Sequence, residues 1–140
     1  MKIFISGNGN ISFEDFLKYY ATPISQALEQ DADAQFLVCE FRGTDILTLE
    51  FLKTKTALVQ VFHVGSAPRY FPDKFKTYAQ HWQLVGGFTS DASRDAAALE
   101  ACTHFIATDF NSDEKRTSGT LKNIQKCLKL GKIRLDVSTI

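Results

Sequence analysis

The segment KIFISGNGN, residues 2–10, places a short apolar run before two glycines and two asparagines. An apolar run of this length, bounded by turn residues, is typical of a buried β-strand. Ser12 then precedes apolar residues at helical spacing, namely Phe13, Phe16, Leu17, Tyr20, Ile24, Ala27 and Leu28. The segment therefore predicts a strand, a glycine turn and a helix, which together form the first unit of an α/β fold.

Pro23 lies inside this helical pattern. Proline lacks the backbone donor that a helix interior uses, whereas its fixed φ suits the first turn of a helix. The sequence therefore leaves two interpretations open. Pro23 either kinks one helix or lies in the first turn of a second helix that begins near Thr22.

The rest of the chain alternates apolar runs with helical patterns. Strands are predicted at residues 35–39, 57–62, 82–85, 104–110 and 132–138. Helices are predicted after Gly43 and at residues 73–79, 90–102 and 117–130. This alternation predicts an α/β three-layer sandwich with a mainly parallel sheet and helices on both faces. The sequence has no repeat and no linker, so residues 1–140 are predicted to form one domain.

The charges of the chain balance, because 16 Lys and Arg residues oppose 16 Asp and Glu residues. A neutral chain has no general attraction to nucleic acid or to an anionic membrane, so we expect neither as a partner. Any anion site is then expected to be local. No run approaches the roughly 20 apolar residues that cross a bilayer, and the N-terminal run is too short for a signal peptide. We therefore expect a cytoplasmic protein.

The histidines and cysteines do not have the spacing of metal ligands. They are His63, His81, His104, Cys39, Cys102 and Cys127. No histidine has a ligand partner three or four residues away, and the odd number of separated cysteines indicates a reducing environment. We expect no metal and no cofactor.

Three loops that leave predicted strands carry the candidate ligand contacts. Parallel α/β sheets bind ligands beyond the carboxyl ends of their strands, where the chain order reverses. In such loops glycine permits close approach, arginine can bind phosphate through two hydrogen bonds, and a helix N-terminus attracts anions. The candidates are Ser6, Gly7, Asn8, Arg42, Gly43, Asp45, Ser118, Gly119 and Thr120.

Each of these loops also has a structural interpretation. The first loop can be a plain strand-to-helix turn, Asp45 suits the dipole of the helix that it begins, and Arg42 can be a solvated surface residue. Residues 117–120 are different, because three hydroxyl side chains flank Gly119 and a helix cap needs one. We therefore predict phosphate or ribose binding at residues 117–120.

Four segments carry a resemblance to a known family. IFISG, RGTD, RDAAALEAC and SGTLKNIQKCLKLGK occur in the same order as in the SLOG superfamily, and the chain resembles its small bacterial members of unknown role. That superfamily has Rossmann-like folds and includes DNA-processing proteins and cytokinin-activating phosphoribohydrolases. The resemblance implies a Rossmann-like fold with a site for a nucleotide or nucleotide-derived ligand. It adds Arg94 and Asp95 to the candidate contacts.

One departure from the family pattern concerns catalysis. The similar phosphoribohydrolases and nucleoside deoxyribosyltransferases carry G-T-x-x-E, whereas this chain has Asn123 at the glutamate position. Asparagine can neither act as a carboxylate nucleophile nor stabilise an oxocarbenium ion by its charge. The leading hypothesis is therefore a binding module that holds its ligand without turnover, with Asn123 among its contacts.

Two other functions stay open. One is an N-glycosidase or nucleotide hydrolase that uses a different carboxylate, with Asp45, Asp95 and Asp109 as the candidates. The other is an interaction protein whose pocket is vestigial. A homo-oligomer is compatible with all three functions.

Overall fold

Six parallel strands form the sheet in the computed structural model, which describes residues 1–136. They are β1 (Lys2–Gly7), β2 (Gln35–Val38), β3 (Val59–Val64), β4 (Gln83–Phe88), β5 (His104–Thr108) and β6 (Ile133–Arg134). Their order is β4-β3-β2-β1-β5-β6, and all five neighbouring pairs run parallel. The chain order therefore reverses between β1 and β5.

Helices cover both faces of this sheet. The elements α1 (Phe13–Phe16), a π-helical segment (Leu17–Ala21), α2 (Thr22–Gln30) and α3 (Thr44–Leu52) pack on one face. On the other face lie α4 (Asp91–Ala101) and α5 (Gly119–Lys129). Alternate residues of β1 point to opposite faces of the sheet. Ile3 and Ile5 pack in the hydrophobic core on the first face, and Phe4 packs in the core on the second. The predicted three-layer α/β sandwich is confirmed.

The helical region after β1 settles the position of Pro23. The π-helical segment ends at Ala21, and Leu17 O accepts hydrogen bonds from both the backbone N–H and the hydroxyl of Thr22. Because α2 begins at Thr22, Pro23 lies in its first turn, where the missing donor costs little. Pro23 thus lies in the first turn of α2, as the second interpretation expected, but Ala21 and Thr22 keep helical backbone angles, so α2 continues from the π-helical segment without a break.

Two predicted elements differ from the structure. The helix predicted at 73–79 is wrong, since only a 3-10 turn forms, at Tyr78–His81. Lys76 has a positive φ of 55°, which ends any helix there. The last strand spans Ile133–Arg134, and its predicted continuation through residues 137–138 lies outside the described residues.

Residues 1–136 contain no helix that combines the length and the apolar character needed to cross a membrane.

Candidate functional site

A cleft of about 410 Å³ opens beyond the carboxyl ends of β1 and β2, beside the point where the strand order reverses. The loops after β1 and β2 and the first turns of α4 and α5 form its walls. Parallel α/β sheets bind ligands at this position. Eleven of the twelve predicted site residues line the cleft, and the exception is Gly43.

Two of the predicted glycines are required by packing between loops. Gly43 has a φ of 78°, and a Cβ atom there would lie 2.6 Å from the carbonyl oxygen of Asn8. A Cβ atom at Gly7 would lie 2.3 Å from Oγ1 of Thr44. Thr44 itself donates hydrogen bonds to the Asn8 carbonyl from its backbone N–H and its hydroxyl. The two glycines therefore let the loop after β1 lie directly on the beginning of α3.

Tyr20 fixes the strand ends beneath the cleft. Its hydroxyl donates to the carbonyl oxygen of Ser6 at 2.8 Å and accepts from the backbone N–H of Thr108 at 3.0 Å. These backbone atoms lie at the carboxyl ends of β1 and β5. Burial raises the pKa of Tyr20 well above its usual value, so the hydroxyl stays protonated and able to donate. The π-helical segment thus positions a side chain that ties β1 to β5.

Asp109 holds the far wall of the cleft together. Its Oδ1 accepts from the side chains of Asn8 at 3.0 Å and Ser118 at 2.7 Å, and Oδ2 accepts from the backbone of Ser112 at 3.1 Å. Burial opposes ionisation, but these hydrogen bonds keep the pKa of Asp109 well below its usual value. The carboxylate therefore orders the loop between β5 and α5.

The beginning of α5 presents backbone donors to the cleft. Ser118 caps the helix, because its Oγ accepts from the backbone N–H of Leu121 at 3.0 Å. Within residues 1–136, the N–H groups of Gly119 and Thr120 donate to no other residue. A Cβ atom at Gly119 would meet no atom within 4 Å. Two amide donors at a helix N-terminus are therefore accessible from the cleft.

Two arginines stand on the rim of the cleft without a carboxylate partner. Arg42 lies over the ring of Phe41, with Cζ 5.0 Å from the ring centroid, and Arg116 precedes the cap of α5. In the described part of the chain neither forms a salt bridge. Arg42 was predicted from the sequence, whereas Arg116 was missed. The position of Arg116, just before the TSGT turn, was the signal that could have identified it.

Asn123 is bound to two residues of the cleft floor. Its Nδ2 donates to Oγ of Ser6 at 3.0 Å and to Oδ2 of Asp95 at 3.2 Å. Arg94 donates to the other oxygen of Asp95, Oδ1, from Nε and Nη2. The three positions predicted from the family pattern therefore lie together, and their donors are directed at protein oxygens.

A buried ion-pair network behind the cleft was not predicted. Glu40 lies two residues after β2; its side chain is fully buried and accepts hydrogen bonds from Arg94 and Arg69. Arg69 and Arg94 both also contact Asp91, at 2.6 and 3.0 Å. Burial opposes ionisation of Glu40, but the two arginines hold its pKa below the usual value. Arg94 therefore joins three carboxylates and orients Asp95 and Asp91 at the cleft.

Asp45 is the most buried carboxyl group on the cleft wall. Its Oδ2 accepts from the backbone N–H of Phe41 at 3.1 Å, and its residue is 7% exposed. Burial raises the pKa of Asp45 to about 7, against the lowering effect of the Phe41 hydrogen bond, and the nearby charge of Asp95 raises it further. At neutral pH this group can therefore exchange a proton.

The histidines lie away from the cleft, since none is on its wall. His63 is buried in β3, and a Cβ atom at Gly86 would lie 1.9 Å from its ring, so the two residues pack together. Cys39 lies at the cleft floor, where burial raises the pKa of its thiol well above the usual value. Among residues 1–136 no three His, Cys, Asp or Glu side chains are grouped as metal ligands.

Comparison with known proteins reveals a fold neighbour. No protein-family profile matches the sequence. No curated protein sequence matches it. A solved structure of DNA processing protein A from Helicobacter pylori is similar, with a TM-score of 0.53 and 12% sequence identity over 95% of this chain and 74% of that one. This similarity supports a Rossmann-like fold, whereas membership of the SLOG superfamily stays a prediction.

The comparison also corrects one prediction. The Helicobacter pylori protein binds single-stranded DNA. A protein with this fold can thus bind nucleic acid, so the exclusion of nucleic acid as a partner from charge balance alone is wrong. The physical reason is that net charge averages over the whole surface, whereas binding depends on the local charge of a site.

Proposed function

We propose that this chain binds a nucleotide or nucleotide-derived molecule in the cleft and holds it without turnover. One observation carries the proposal. The free amides of Gly119 and Thr120 and the unpaired Arg42 and Arg116 meet at one cleft, at the carboxyl edge of the sheet. All four groups are hydrogen-bond donors, and two carry positive charge. A phosphate is the common ligand group that uses such a set.

The physical chemistry of the site favours an anion despite the neutral chain. The dipole of α5 contributes about 0.3–1 kcal/mol to an anion at its N-terminus. A guanidinium can add two parallel hydrogen bonds to phosphate oxygens, and hydrogen bonds to charged groups contribute about 1.5–3 kcal/mol. Because Arg42 and Arg116 come from different loops, they can approach a bound phosphate from two sides.

The fold neighbour agrees with a nucleotide ligand. A DNA processing protein of similar fold binds single-stranded DNA, which is a polymer of nucleotides. Its identity of 12% to this chain makes the fold the shared feature, so the ligand itself is proposed from the cleft.

The carboxylates of the cleft support holding the ligand rather than cleaving it. Glycosidic hydrolysis uses a pair of carboxyl groups, one as acid and one as base or nucleophile. Asp109 is occupied by hydrogen bonds from Asn8, Ser118 and the loop backbone, and Asp95 is paired with Arg94. Asp45 is left as a single proton-exchanging group. The hydrolase hypothesis therefore has less support, and the vestigial pocket, the homo-oligomer and the cytoplasmic location stay predictions.

The binding proposal is tested by calorimetric titration with AMP. We expect saturable binding to the unaltered chain, and a loss of roughly tenfold in affinity for Arg42→Gln and for Arg116→Gln, since tenfold corresponds to about 1.4 kcal/mol. Lys115→Gln is the matched control, because Lys115 is an exposed cation of the same loop that does not line the cleft. Equal affinities for all four proteins would contradict the phosphate site.

A parallel titration with an oligodeoxythymidylate separates the two ligand classes. The proposal predicts that AMP binds by itself. Binding of the oligomer with no binding of AMP would replace the small-molecule ligand with single-stranded nucleic acid. Prolonged incubation with AMP, followed by chromatography for free adenine, tests turnover. Release at about 1 per second or faster, within the ordinary enzyme range, would make the chain an enzyme.

A further inference from the structure

We propose that the cleft distinguishes ribose from 2-deoxyribose, because the floor of the cleft presents hydrogen-bond acceptors that a sugar diol would satisfy. This inference rests on the proposed function and names the sugar of the ligand. It depends on three residues that line the cleft floor, Asp45, Asp95 and Asn123, of which Asn123 donates hydrogen bonds to Ser6 and Asp95.

Asp45 supplies the deepest acceptor. The residue is 7% exposed and lines the cleft. Its Oδ2 accepts one backbone hydrogen bond, from Phe41, and no residue among 1–136 donates to Oδ1. Because Asp45 lines the cleft, its Oδ1 is available to a hydroxyl of a bound ligand, which can donate a hydrogen bond to it.

The neighbouring groups direct their donors away from a ligand. Asn123 uses Nδ2 for Ser6 and Asp95, which leaves its Oδ1 as an acceptor without a partner in the described chain. Arg94, which could otherwise bind an anion, directs its guanidinium at Glu40, Asp91 and Asp95. The floor of the cleft therefore offers mainly acceptors, in contrast to the donors around Gly119.

The separation of acceptors on the floor from donors around Gly119 determines which part of a nucleotide each region of the cleft can bind. A phosphate is negatively charged at neutral pH, so the carboxylate of Asp95 would repel it. The vicinal hydroxyls of a ribose are donors, and two of them can satisfy the oxygens of the floor at once. A sugar without its 2′-hydroxyl leaves a buried acceptor unpaired, and a site built for a hydroxyl rejects an analogue that lacks it.

The test compares AMP with 2′-deoxyadenosine monophosphate on the unaltered chain by calorimetry. We expect the deoxy compound to bind at least fivefold more weakly. Inorganic phosphate is titrated alongside as the probe for the donor wall. If the two nucleotides bind within fivefold of each other, the sugar selectivity is wrong and the proposed function stands. If neither nucleotide nor phosphate binds, the proposed function itself is wrong.

A variant assigns the selectivity to the floor. Asp45→Asn should lower the affinity for AMP more than that for the deoxy compound, so the ratio of the two affinities moves toward one. Asp33→Asn is the matched control, because Asp33 is exposed and does not line the cleft, and its ratio should equal that of the unaltered chain. An unchanged ratio in folded Asp45→Asn would overturn the assignment. The ligand comparison on the unaltered chain decides the proposal even if this variant does not fold.

Discussion

Removal of the Tyr20 hydroxyl should destabilise the protein, because that hydroxyl bonds to the backbone of two strands at once. The hydroxyl donates to Ser6 O at 2.8 Å and accepts from the N–H of Thr108 at 3.0 Å, and the side chain is fully buried. Tyr20→Phe keeps the ring, which stacks on Phe16 at a centroid distance of 6.0 Å. The variant therefore isolates the two hydrogen bonds from the packing.

The size of the effect follows from the groups that lose their partner. Each unsatisfied buried polar group costs about 1–3 kcal/mol, so the loss of one acceptor and one donor amounts to roughly 2–6 kcal/mol. Typical domains have a free energy of unfolding of about 5–15 kcal/mol. With a urea m-value of about 2 kcal/mol/M, the unfolding midpoint should fall by about 1–3 M with little change in m.

Urea unfolding followed by circular dichroism measures this change. Tyr19→Phe is the control, because Tyr19 is half-buried, contacts Phe110 through its ring, and donates its hydroxyl to no residue among 1–136. We expect that control to stay within about 0.5 kcal/mol of the unaltered chain. A loss below about 0.5 kcal/mol for Tyr20→Phe would refute the view that Tyr20 ties β1 to β5.

Three further changes test the cleft. The folded pKa of Asp45, about 7, exceeds its unfolded value of about 3.9, so Asp45 contributes stability at low pH that is lost as pH rises through 7. Urea unfolding at pH 4.5 and 7.5 should therefore show a larger loss of stability for the unaltered chain than for Asp45→Asn. Equal losses for the two proteins would contradict the raised pKa. Gly43→Ala should lower the free energy of unfolding by about 1–3 kcal/mol, since the φ of Gly43 is 78° and a Cβ atom there would lie 2.6 Å from Asn8 O. Gly119→Ala is the control and should change it by less than about 0.5 kcal/mol, because a Cβ atom there meets no atom within 4 Å. Equal stabilities of the two variants would contradict the loop-packing role of Gly43. Asn123→Glu should lower the free energy of unfolding by about 1–3 kcal/mol, because it replaces the donor to Ser6 and Asp95 with a second carboxylate. Chromatography after incubation of this variant with AMP should find no free adenine. Robust release of adenine would show that Asn123 alone prevents turnover.

Hydrophobic periodicity was sufficient to predict the layers of the fold. The run at residues 2–6 and the helical spacing from Phe13 onward report burial directly, because burial is what places apolar residues at those intervals. The failure at 73–79 has a local cause, since Lys76 adopts a left-handed conformation that no apolar pattern records. The position of the cleft followed from topology, because carboxyl ends of parallel strands share one edge.

The contacts inside the cleft could not be predicted in the same way. Asn8 reaches Asp109 across 101 residues, and Glu40 reaches Arg94 across 54, so these pairings depend on the packed structure. Helical spacing predicted Tyr20 only as an apolar position of a helix. The spacing carries no information about the hydrogen bonds from its hydroxyl to the ends of β1 and β5. Burial is also invisible in the sequence, and burial is what raises the pKa of Asp45.

A titration of isotope-labelled protein with AMP, followed by ¹H–¹⁵N correlation spectra, tests the binding site most directly. The unpartnered N–H groups of Gly119 and Thr120 are the proposed phosphate donors, so their amide signals should shift in a saturable manner and be among the most strongly shifted in the spectrum. If AMP leaves these two signals unchanged, or shifts only residues outside the cleft, the phosphate does not bind at the beginning of α5 and the proposed function is wrong.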